Sequence, residues 1–138
     1  MSYVTDGAAP ALSAAAFVRG ERRRQISLAE FRGSWTVVAF AARGTDVLQL
    51  AALEEAFAAD GAIVLAATPD DWHEAAHRYA DEPVRFPILT EVAEERRVTM
   101  IVDPLGVIRH VGLRRSARET LAVLEELLTS PVAARLAA

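Results

Sequence analysis

Two short apolar runs limit what this chain can fold into. Residues 36–42 read TVVAFAA and residues 62–67 read AIVLAA, and neither run alternates between polar and apolar residues. Strands that are apolar on both sides are typical of the centre of a parallel sheet, where both faces are covered. Parallel neighbours need a crossover connection, which is usually a helix. The two runs therefore predict an α/β fold with both strands inside the sheet.

The segment between the two runs predicts that crossover helix. Asp46 is a favourable N-cap, and Gln49 stands three residues later, as in a capping box. Three apolar side chains then share one face of the helix at helical spacing: Leu50, Leu53 and Phe57. The Asp-Gly pair at residues 60 and 61 ends the helix.

The rest of the chain predicts further elements of both kinds. Residues 28–31 form a helical turn ended by Gly33, residues 70–79 a helix and residues 86–89 a short extended piece. That helix carries an apolar stripe made of Trp72, Ala75, Ala76 and Tyr79. Asp103-Pro104-Leu105-Gly106 suits a type I turn between residues 99–102 and 107–113, which predicts a β-hairpin.

The chain closes on a final helix. Ser116 and Glu119 form an S-x-x-E capping box at its start. Its inward face carries Leu121, Leu124 and Leu128. The order β-α-β-α-β-β-α is the thioredoxin topology. We therefore expect one thioredoxin-like α/β domain over residues 1–138, with a central mixed sheet flanked by helices and a C-terminal β-hairpin plus helix.

Composition excludes several classes of function. The chain contains no cysteine, which rules out disulfides, thiolate metal sites and every thiol-based redox reaction. A net charge of −4 gives nucleic acid no general electrostatic reason to bind, and the arginine clusters at residues 22–24, 96–97 and 114–115 are expected to be solvated. No run reaches the roughly 18 apolar residues that cross a bilayer, and the N-terminus lacks the features of a signal peptide. We expect a cytoplasmic protein that binds neither nucleic acid nor membrane.

Six short segments occur in the order in which a known family carries them. Three of them are ISLAEFRG at residues 26–33, FPILT at 86–90 and RVTMIVDP at 97–104. The other three are DGAAP at 6–10, VVAF at 37–40 and IVLAATPD at 63–70. Together they resemble the peroxiredoxins, in the alkyl hydroperoxide reductase and thiol-specific antioxidant branch of the thioredoxin-like fold. The resemblance runs from about residue 6 to residue 128.

The resemblance also locates the family's active site. The motif P-x-x-x-T-x-x-C falls on Ala41, Thr45 and Leu48, so the threonine alone remains, and Arg97 matches the family's active-site arginine. A second resemblance, to thioredoxin-like reductases with F-W-A-x-W-C-x-x-C, puts two cysteines on Thr45 and Leu48. Those reductases carry a cis-proline at the position of Arg97, which favours the peroxiredoxins.

The missing sulfur decides the chemistry that the resemblance implies. In the family, a helix N-terminus and an arginine favour a thiolate, which attacks the O–O bond of a peroxide and becomes a sulfenic acid. The Leu48 side chain is a hydrocarbon with no reactive atom. We therefore expect no catalytic residue, no cofactor and no enzymatic activity, although the family name describes an oxidoreductase. The resemblance also implies that a cysteine restored at Leu48 has a lowered pKa and reacts with peroxide.

Two interpretations of the remaining polar residues stay open. In the first, Thr45 helps to cap the helix and Arg97 pairs with Asp46 or with a terminal carbonyl. In the second, Thr45, Arg97 and Ala41 form a residual pocket that binds an anion or another small molecule. The leading hypothesis for function is a non-catalytic binding or assembly module, and a small-molecule sensor is the alternative.

A deletion separates the chain from the family that it resembles. Between the FPILT segment and Arg97, peroxiredoxins usually carry a further helix that ends in a Y-G-V motif. Here only EVAEER at residues 91–96 remains. We expect the wall that this helix forms beside the site to be missing or open.

A histidine pair suggests a metal site but lacks a third ligand. His73 and His77 in HEAAH match the H-E-x-x-H zinc motif on a predicted helix. A zinc site needs a third protein ligand, and the extended motif finds Ala80 and Pro83 where it requires glycine and histidine. We therefore predict no metal, and we expect His110 in the hairpin to be structural.

Two apolar surfaces predict association. Peroxiredoxins commonly dimerise through the edge strand of the hairpin or around the active-site loop, which implies a homodimer or a protein partner. The hairpin strand carries Val107, Ile108, Val111 and Leu113. The rim of the site carries Ala41, Ala42, Val47 and Leu48. We expect the rim to form the interface, because an exchange of cysteine for leucine suits packing.

Overall fold

The computed structural model of the protein describes residues 3–131, so both ends of the domain predicted over residues 1–138 lie outside the described residues. The strands are β1 (Ser13–Phe17), β2 (Arg24–Ser27), β3 (Trp35–Ala39), β4 (Ala62–Ala67), β5 (Ile88–Leu89), β6 (Val98–Val102) and β7 (Ile108–Leu113). The α-helices are α1 (Gly44–Ala52), α2 (Glu54–Ala59), α3 (Trp72–Tyr79) and α4 (Ala117–Leu128). A short 3-10 helix covers Leu28–Phe31. None of the helices in this part of the chain is long and apolar enough to cross a membrane.

The strands form one mixed sheet in the order β2-β1-β5-β4-β3-β6-β7. β3 and β4 run parallel, as do β4 and β5, whereas β6 is antiparallel to both β3 and β7. All five residues of β3 are buried, in agreement with the prediction of a central strand. The arrangement confirms the thioredoxin-like α/β fold, with helices flanking the sheet and a C-terminal hairpin followed by a helix.

Two apolar clusters cover the two faces of the sheet. All four α-helices pack on one face, where Val47, Leu50, Phe57, Tyr79 and Leu124 meet alternate residues of β3 and β4. The other face is covered by the N-terminal part of the chain, including Ile26 and Leu28. On this second face the Tyr3 ring stacks on Phe40, with ring centroids 5.1 Å apart. The N-terminal segment, with the short 3-10 helix, thus covers sheet surface where no α-helix lies in the described structure.

The N-terminal hairpin was not predicted. β1 pairs with β2 and also with β5, so two strands join the sheet on the side away from the C-terminal hairpin. The β1 sequence is SAAAF, and alanine is depleted in strands, so propensity gave no strand signal there. Burial explains the alanines, because Ala14 and Ala16 lie in the core and the Trp72 indole donates to the Ala16 carbonyl at 3.0 Å.

The first crossover helix differs from the prediction in two ways. It begins at Gly44 with Arg43 at the N-cap, so Asp46 is the third helical residue and not the N-cap. The Asp46 carboxylate reaches back to accept from the Arg43 backbone N–H at 2.9 Å. The helix is also interrupted at Leu53, which separates α1 from α2. Ser116 precedes α4 as predicted, whereas α3 begins at Trp72, two residues after the predicted start at residue 70, with Asp71 as its N-cap.

The C-terminal hairpin forms as predicted, and its outer edge is partly covered. The Gly106 N–H donates to the Asp103 carbonyl at 2.9 Å, which closes the turn. β7 is an outer strand of the sheet. The segment around Asp6 and Gly7 lies along its beginning, with the Asp6 N–H donating to the Ile108 carbonyl at 2.7 Å and the Ile108 N–H donating to the Gly7 carbonyl at 2.8 Å. Residues 109–113 continue past this short cover.

Candidate functional site

The positions that match the peroxiredoxin motif lie where β3 leads into α1. Ala41 follows β3 with φ of +49°, a left-handed conformation that few residues other than glycine adopt. Thr45 and Leu48 are exposed on α1, and Leu48 is 39% exposed. Because α1 begins at Gly44, Leu48 lies in its second turn, whereas an Asp46 cap would have placed it in the first turn. The N-cap of α1 is Arg43, whose backbone N–H donates to Asp46, and within residues 3–131 the Thr45 side chain makes no hydrogen bond that caps the helix.

Asp46 is the centre of the polar interactions at this end of the sheet. Its buried carboxylate accepts from the Arg97 guanidinium at 2.6 Å, with the Arg97 Nη2 donating to Oδ1. Its other oxygen, Oδ2, accepts from Arg114 Nη2 at 3.1 Å as well as from the Arg43 backbone N–H. Arg97 therefore pairs with Asp46, which is one of the two partners considered for it from the sequence.

Arg114 is the residue that sequence reasoning missed. Its side chain is only 2% exposed, which corrects the expectation that the arginine pair at residues 114 and 115 is solvated. Nη1 donates to the carbonyls of Phe40 at 2.8 Å and Val98 at 3.1 Å, at the end of β3 and the beginning of β6. Nη2 holds Asp46 and lies 3.4 Å from the Ala41 carbonyl. The sequence carries no local sign of this, because every partner is distant along the chain.

The electrostatics keep Asp46 ionised. Burial alone raises the pKa of Asp46, but the Arg43 N–H and the guanidiniums of Arg114 and Arg97 outweigh that effect and hold the pKa below its ordinary value of 3.8. An ionised carboxylate that is shared between two guanidiniums is a weak base and a weak nucleophile near neutral pH. Asp46 therefore fixes structure and keeps Arg97 occupied.

A cleft of about 280 Å³ opens beside this cluster. Its lining includes Ala41, Arg43, Asp70, Arg78, Glu95 and Arg97. Two of the residues predicted for a residual pocket, Ala41 and Arg97, line it together. Thr45 and Leu48 do not, so the structure does not bring all the predicted positions into one pocket.

The short segment at residues 91–96, where the resemblance predicts a missing helix, is not helical. Residues 91–96 form no helix, but Val92 is buried and its N–H donates to the Thr68 carbonyl at 3.0 Å. The Glu91 N–H donates to the Asp70 carbonyl at 2.8 Å. The segment is therefore bound along the loop after β4, and Glu95 at its end lines the cleft. The wall is shorter than a helix, but it is present.

The predicted apolar rim is smaller than expected. Ala42 and Val47 are buried in the core on the helical face of the sheet, so neither can contribute to a rim. Ala41 is partly exposed, and Leu48 is exposed. The β7 edge, in contrast, carries Leu113 with 76% of its surface exposed.

The histidines do not assemble a metal centre in the described structure. His73 and His77 are both exposed on α3, and the His73 ring lies edge-on to the indole of Trp72. No group of three potential ligands among His, Cys, Asp and Glu comes together within residues 3–131. His110 lies partly buried in β7, where burial lowers its pKa.

Neither a protein-family model nor a curated protein matches the chain. Solved structures do match it over nearly its whole length. AhpC of Mycobacterium tuberculosis superposes with a TM-score of 0.80 at 22% identity, covering 92% of this chain and 94% of that chain. AhpC of Mycobacterium bovis gives a TM-score of 0.79 at 24% identity, with 94% and 95% covered.

A more distant protein superposes equally well. The mitochondrial 2-Cys peroxiredoxin from Plasmodium falciparum gives a TM-score of 0.79 at 13% identity, covering 91% of this chain and 94% of that chain. Structural similarity at sequence identities below 25% establishes the fold alone. The chemistry has to be judged from the residues of this chain. The chain has the thioredoxin-like fold of the peroxiredoxins, and no cysteine stands anywhere in it.

Proposed function

We propose that this protein is a non-catalytic member of the peroxiredoxin fold that works in the cytoplasm by binding another protein, a second copy of itself included. The observation that carries the proposal is the absence of cysteine from all 138 residues. The reaction implied by the resemblance needs a thiolate that becomes a sulfenic acid, and no other side chain supplies that atom.

The arrangement around Arg97 supports the same proposal. A guanidinium that stabilises the negative charge developing on a peroxide has to face the substrate. Here it is bound at 2.6 Å to a carboxylate of its own chain. Asp46 thus neutralises the Arg97 guanidinium, and it does so whether position 48 holds a leucine or a cysteine.

Peroxide consumption tests the loss of activity. Purified protein, supplied with thioredoxin or dithiothreitol, should consume hydrogen peroxide and alkyl hydroperoxides no faster than buffer does, because the chain has no thiol for peroxide to oxidise and for these reductants to regenerate. The assay is repeated after treatment with a chelator to exclude trace metal. Turnover above the buffer rate that survives chelation would contradict the proposal.

A cysteine at Leu48 tests whether the thiol alone is missing. The structure changes the expectation drawn from the resemblance, because Leu48 lies in the second turn of α1, and the field of a helix terminus fades beyond the first turn. With Arg97 held by Asp46, the thiol of Leu48→Cys should titrate near its ordinary pKa of about 8.5 and react slowly with peroxide.

The double variant Leu48→Cys/Asp46→Asn releases Arg97 and serves as the comparison. Its thiol pKa should fall below that of the single variant. The measurement is the pH dependence of thiolate absorbance together with the rate of alkylation. A strongly lowered pKa in the single variant would show that Asp46 does not keep Arg97 occupied.

We place the self-association surface on the β7 edge, not on the rim first expected. An outer strand with unpaired backbone groups is a template for another strand, and proteins usually cover such edges. Residues 6–8 cover only the beginning of β7, and Leu113 is among the most exposed large apolar side chains in the described structure. The rim offers Leu48 alone as an exposed large side chain.

Sedimentation analysis with two matched variants tests this surface. Wild-type protein should be a dimer at tens of micromolar, Leu113→Asp should be a monomer, and Leu48→Asp should stay a dimer. The reverse pattern returns the interface to the rim. A monomeric wild type contradicts self-association and leaves a different protein as the partner.

The alternative function, an anion sensor at the residual pocket, has less support. Two guanidiniums that line the cleft are already paired, Arg97 with Asp46 and Arg78 with Asp70 at 3.1 Å. An anion in the cleft would have to compete with these carboxylates.

A further inference from the structure

The outer edge of β7 presents a short stretch of backbone that no other strand bonds within residues 3–131. The Arg114 N–H donates to the Arg97 carbonyl at 2.7 Å, so Arg114 bonds toward β6. Successive residues of an antiparallel ladder bond to opposite sides, and Gly112, two positions earlier, therefore also bonds toward β6. The N–H and C=O groups of Val111 and Leu113 point away from β6 and are called the outward groups below.

The N-terminal segment closes this stretch at one end. The Ile108 N–H donates to the Gly7 carbonyl at 2.8 Å, and Ala8 forms a bridge with Val107. A strand added to the edge cannot extend along these two residues of β7, because the N-terminal segment already lies there. It has to pair with the residues from 109 onward.

The outward groups allow a symmetric antiparallel pair with its two-fold axis at residue 111, 112 or 113. An axis at 111 places the partner's Arg114 opposite Ile108, where the N-terminal segment already lies. An axis at 113 places the partner's Arg115 opposite Val111, a charged side chain against an apolar one. An axis at 112 places the partner's Leu113 opposite Val111 and avoids both conflicts. The strand course of the partner then ends before the N-terminal segment, because Ser116 is already the N-cap of α4.

We propose that two copies of the protein pair their β7 strands antiparallel with Gly112 on the two-fold axis, so that Val111 of each copy lies opposite the partner's Leu113. The proposal rests on the self-association placed on this edge above and defines how the two edges meet. Each such pair exchanges two backbone hydrogen bonds, so the outward groups of both residues are bonded. Leu113, which is 76% exposed in the single chain, packs against a β-branched side chain of the partner.

A glycine suits the position on the axis. There, Gly112 lies opposite the partner's Gly112 in a pair without hydrogen bonds, whose Cα atoms come within about 4.5 Å. A Cβ at this position would lie 3.1 Å from the Nε2 of His110, so the imidazole takes the space that a side chain would need. Glycine inside a strand often marks the close approach of another backbone, which is the role that the axis gives it.

The charges at the end of the paired stretch are complementary. Arg109 lies 2.8 Å from a carboxylate oxygen of Asp103 and 2.8 Å from one of Asp6, so this group carries one negative charge in excess. The partner's Arg115 falls opposite Arg109 in the proposed register. It brings a positive charge beside the exposed carboxylate of Asp6.

Disulfide cross-linking tests the register, and the absence of cysteine from the natural chain leaves no background thiol. Val111→Cys and Leu113→Cys are prepared separately, confirmed as dimers by sedimentation while reduced, mixed and then oxidised with diamide. Opposite residues that exchange hydrogen bonds have Cα atoms about 5.5 Å apart, which a disulfide can span, whereas residues displaced by two positions lie about 7–8 Å apart. The mixed disulfide between the two variants should form about tenfold faster than either symmetric one, as followed by intact mass.

The controls separate the register from the self-association on which it rests. Leu48→Cys, mixed with either variant, measures cross-linking by random collision and should give the lowest rate. A dimer that forms mainly a symmetric disulfide, or none above the Leu48→Cys rate, overturns the register and leaves the self-association standing. A monomeric wild type overturns both.

Charge reversal tests the same register without a cysteine. Arg115→Glu should raise the dissociation constant of the dimer about fivefold at low ionic strength and less in about 0.5 M salt, because exposed charges are screened. Arg118→Glu is the matched control, since Arg118 is exposed on α4 and lies beside Gln49 and Leu53 of the first crossover. It should keep the wild-type constant. Equal constants for the two variants would contradict the register.

Discussion

Replacing Asp46 by asparagine should lower the free energy of unfolding by about 3–5 kcal/mol, the usual consequence of removing one partner from a buried ion pair. Arg114 is almost fully buried and would be left without a negative charge beside it. The amide nitrogen of asparagine would also face guanidinium donors. Urea denaturation of the wild type and the variant, with equal slopes, measures the difference.

The control is Asp81→Asn, which removes the same charge from an exposed aspartate. Surface substitutions of this kind usually change stability by no more than about 0.5 kcal/mol. If Asp46→Asn were as mild as Asp81→Asn, the two guanidiniums would have found other partners, and the central role given to Asp46 would be wrong.

The same carboxylate makes stability depend on acid. The pKa of Asp46 is lower in the folded protein than its ordinary value of 3.8, so the folded state binds this proton less readily than the unfolded state. Its contribution is therefore fully present above that value and is lost as the pH falls through the lowered pKa. The wild type should lose its advantage over Asp46→Asn in that acidic window, and an advantage that is independent of pH would contradict the assignment.

Replacing Asp103 by alanine should cost about 3 kcal/mol, because a fully buried carboxylate with three donors disappears. It accepts from the backbone N–H groups of Leu105 at 2.9 Å and Val107 at 3.0 Å, and from Arg109 Nε at 2.8 Å. The first two bonds hold the turn of the hairpin. The third positions Arg109, which also reaches Asp6 at 2.8 Å.

Asp6→Asn is the matched control, because it removes the charge of the exposed partner of the same arginine and suits the left-handed backbone of this position, where φ is +69°. An exposed ion pair contributes at most about 1 kcal/mol, so this variant should stay near the wild type in urea denaturation. Hydrogen exchange adds a local readout: the amides of Asp6 and Ile108, which bond the N-terminal segment to β7, should exchange faster in Asp103→Ala. Equal losses in the two variants would show that the turn gains nothing from the buried carboxylate.

The parts of the fold that depend on local pattern could be predicted from the sequence. The apolar runs at residues 36–42 and 62–67 became β3 and β4, and the Asp-Pro-Leu-Gly turn joined β6 to β7, because each pattern matches its structure within a few residues. β1 was missed since its alanines carry no strand propensity and are explained only by the core around them. The start of α1 was misplaced because an aspartate suits both the N-cap and the third helical position.

The candidate site shows the same division. The order of motifs assigned Ala41, Leu48 and Arg97 to the site, which stays a prediction, and the pairing of Arg97 with Asp46 was one of the options. Arg114 could not be found, since its partners lie in three separate elements. A pair of adjacent arginines gives no sign that one is buried and the other is solvated. Whether a charged side chain is buried depends on the tertiary structure, so the burial of Arg114 could not be predicted from the local sequence.

The bond between Asp46 and Arg114 joins residues that are 68 positions apart in the chain, which has a kinetic consequence. Closing a loop of this length costs entropy before the contact rewards it, so we expect the bond to form after the rate-limiting step of folding. An interaction that is absent from the transition state slows unfolding and leaves the folding rate nearly unchanged. We therefore expect Asp46→Asn to unfold faster than the wild type and to fold at nearly the same rate, and a slower folding rate in that variant would place the bond in the transition state.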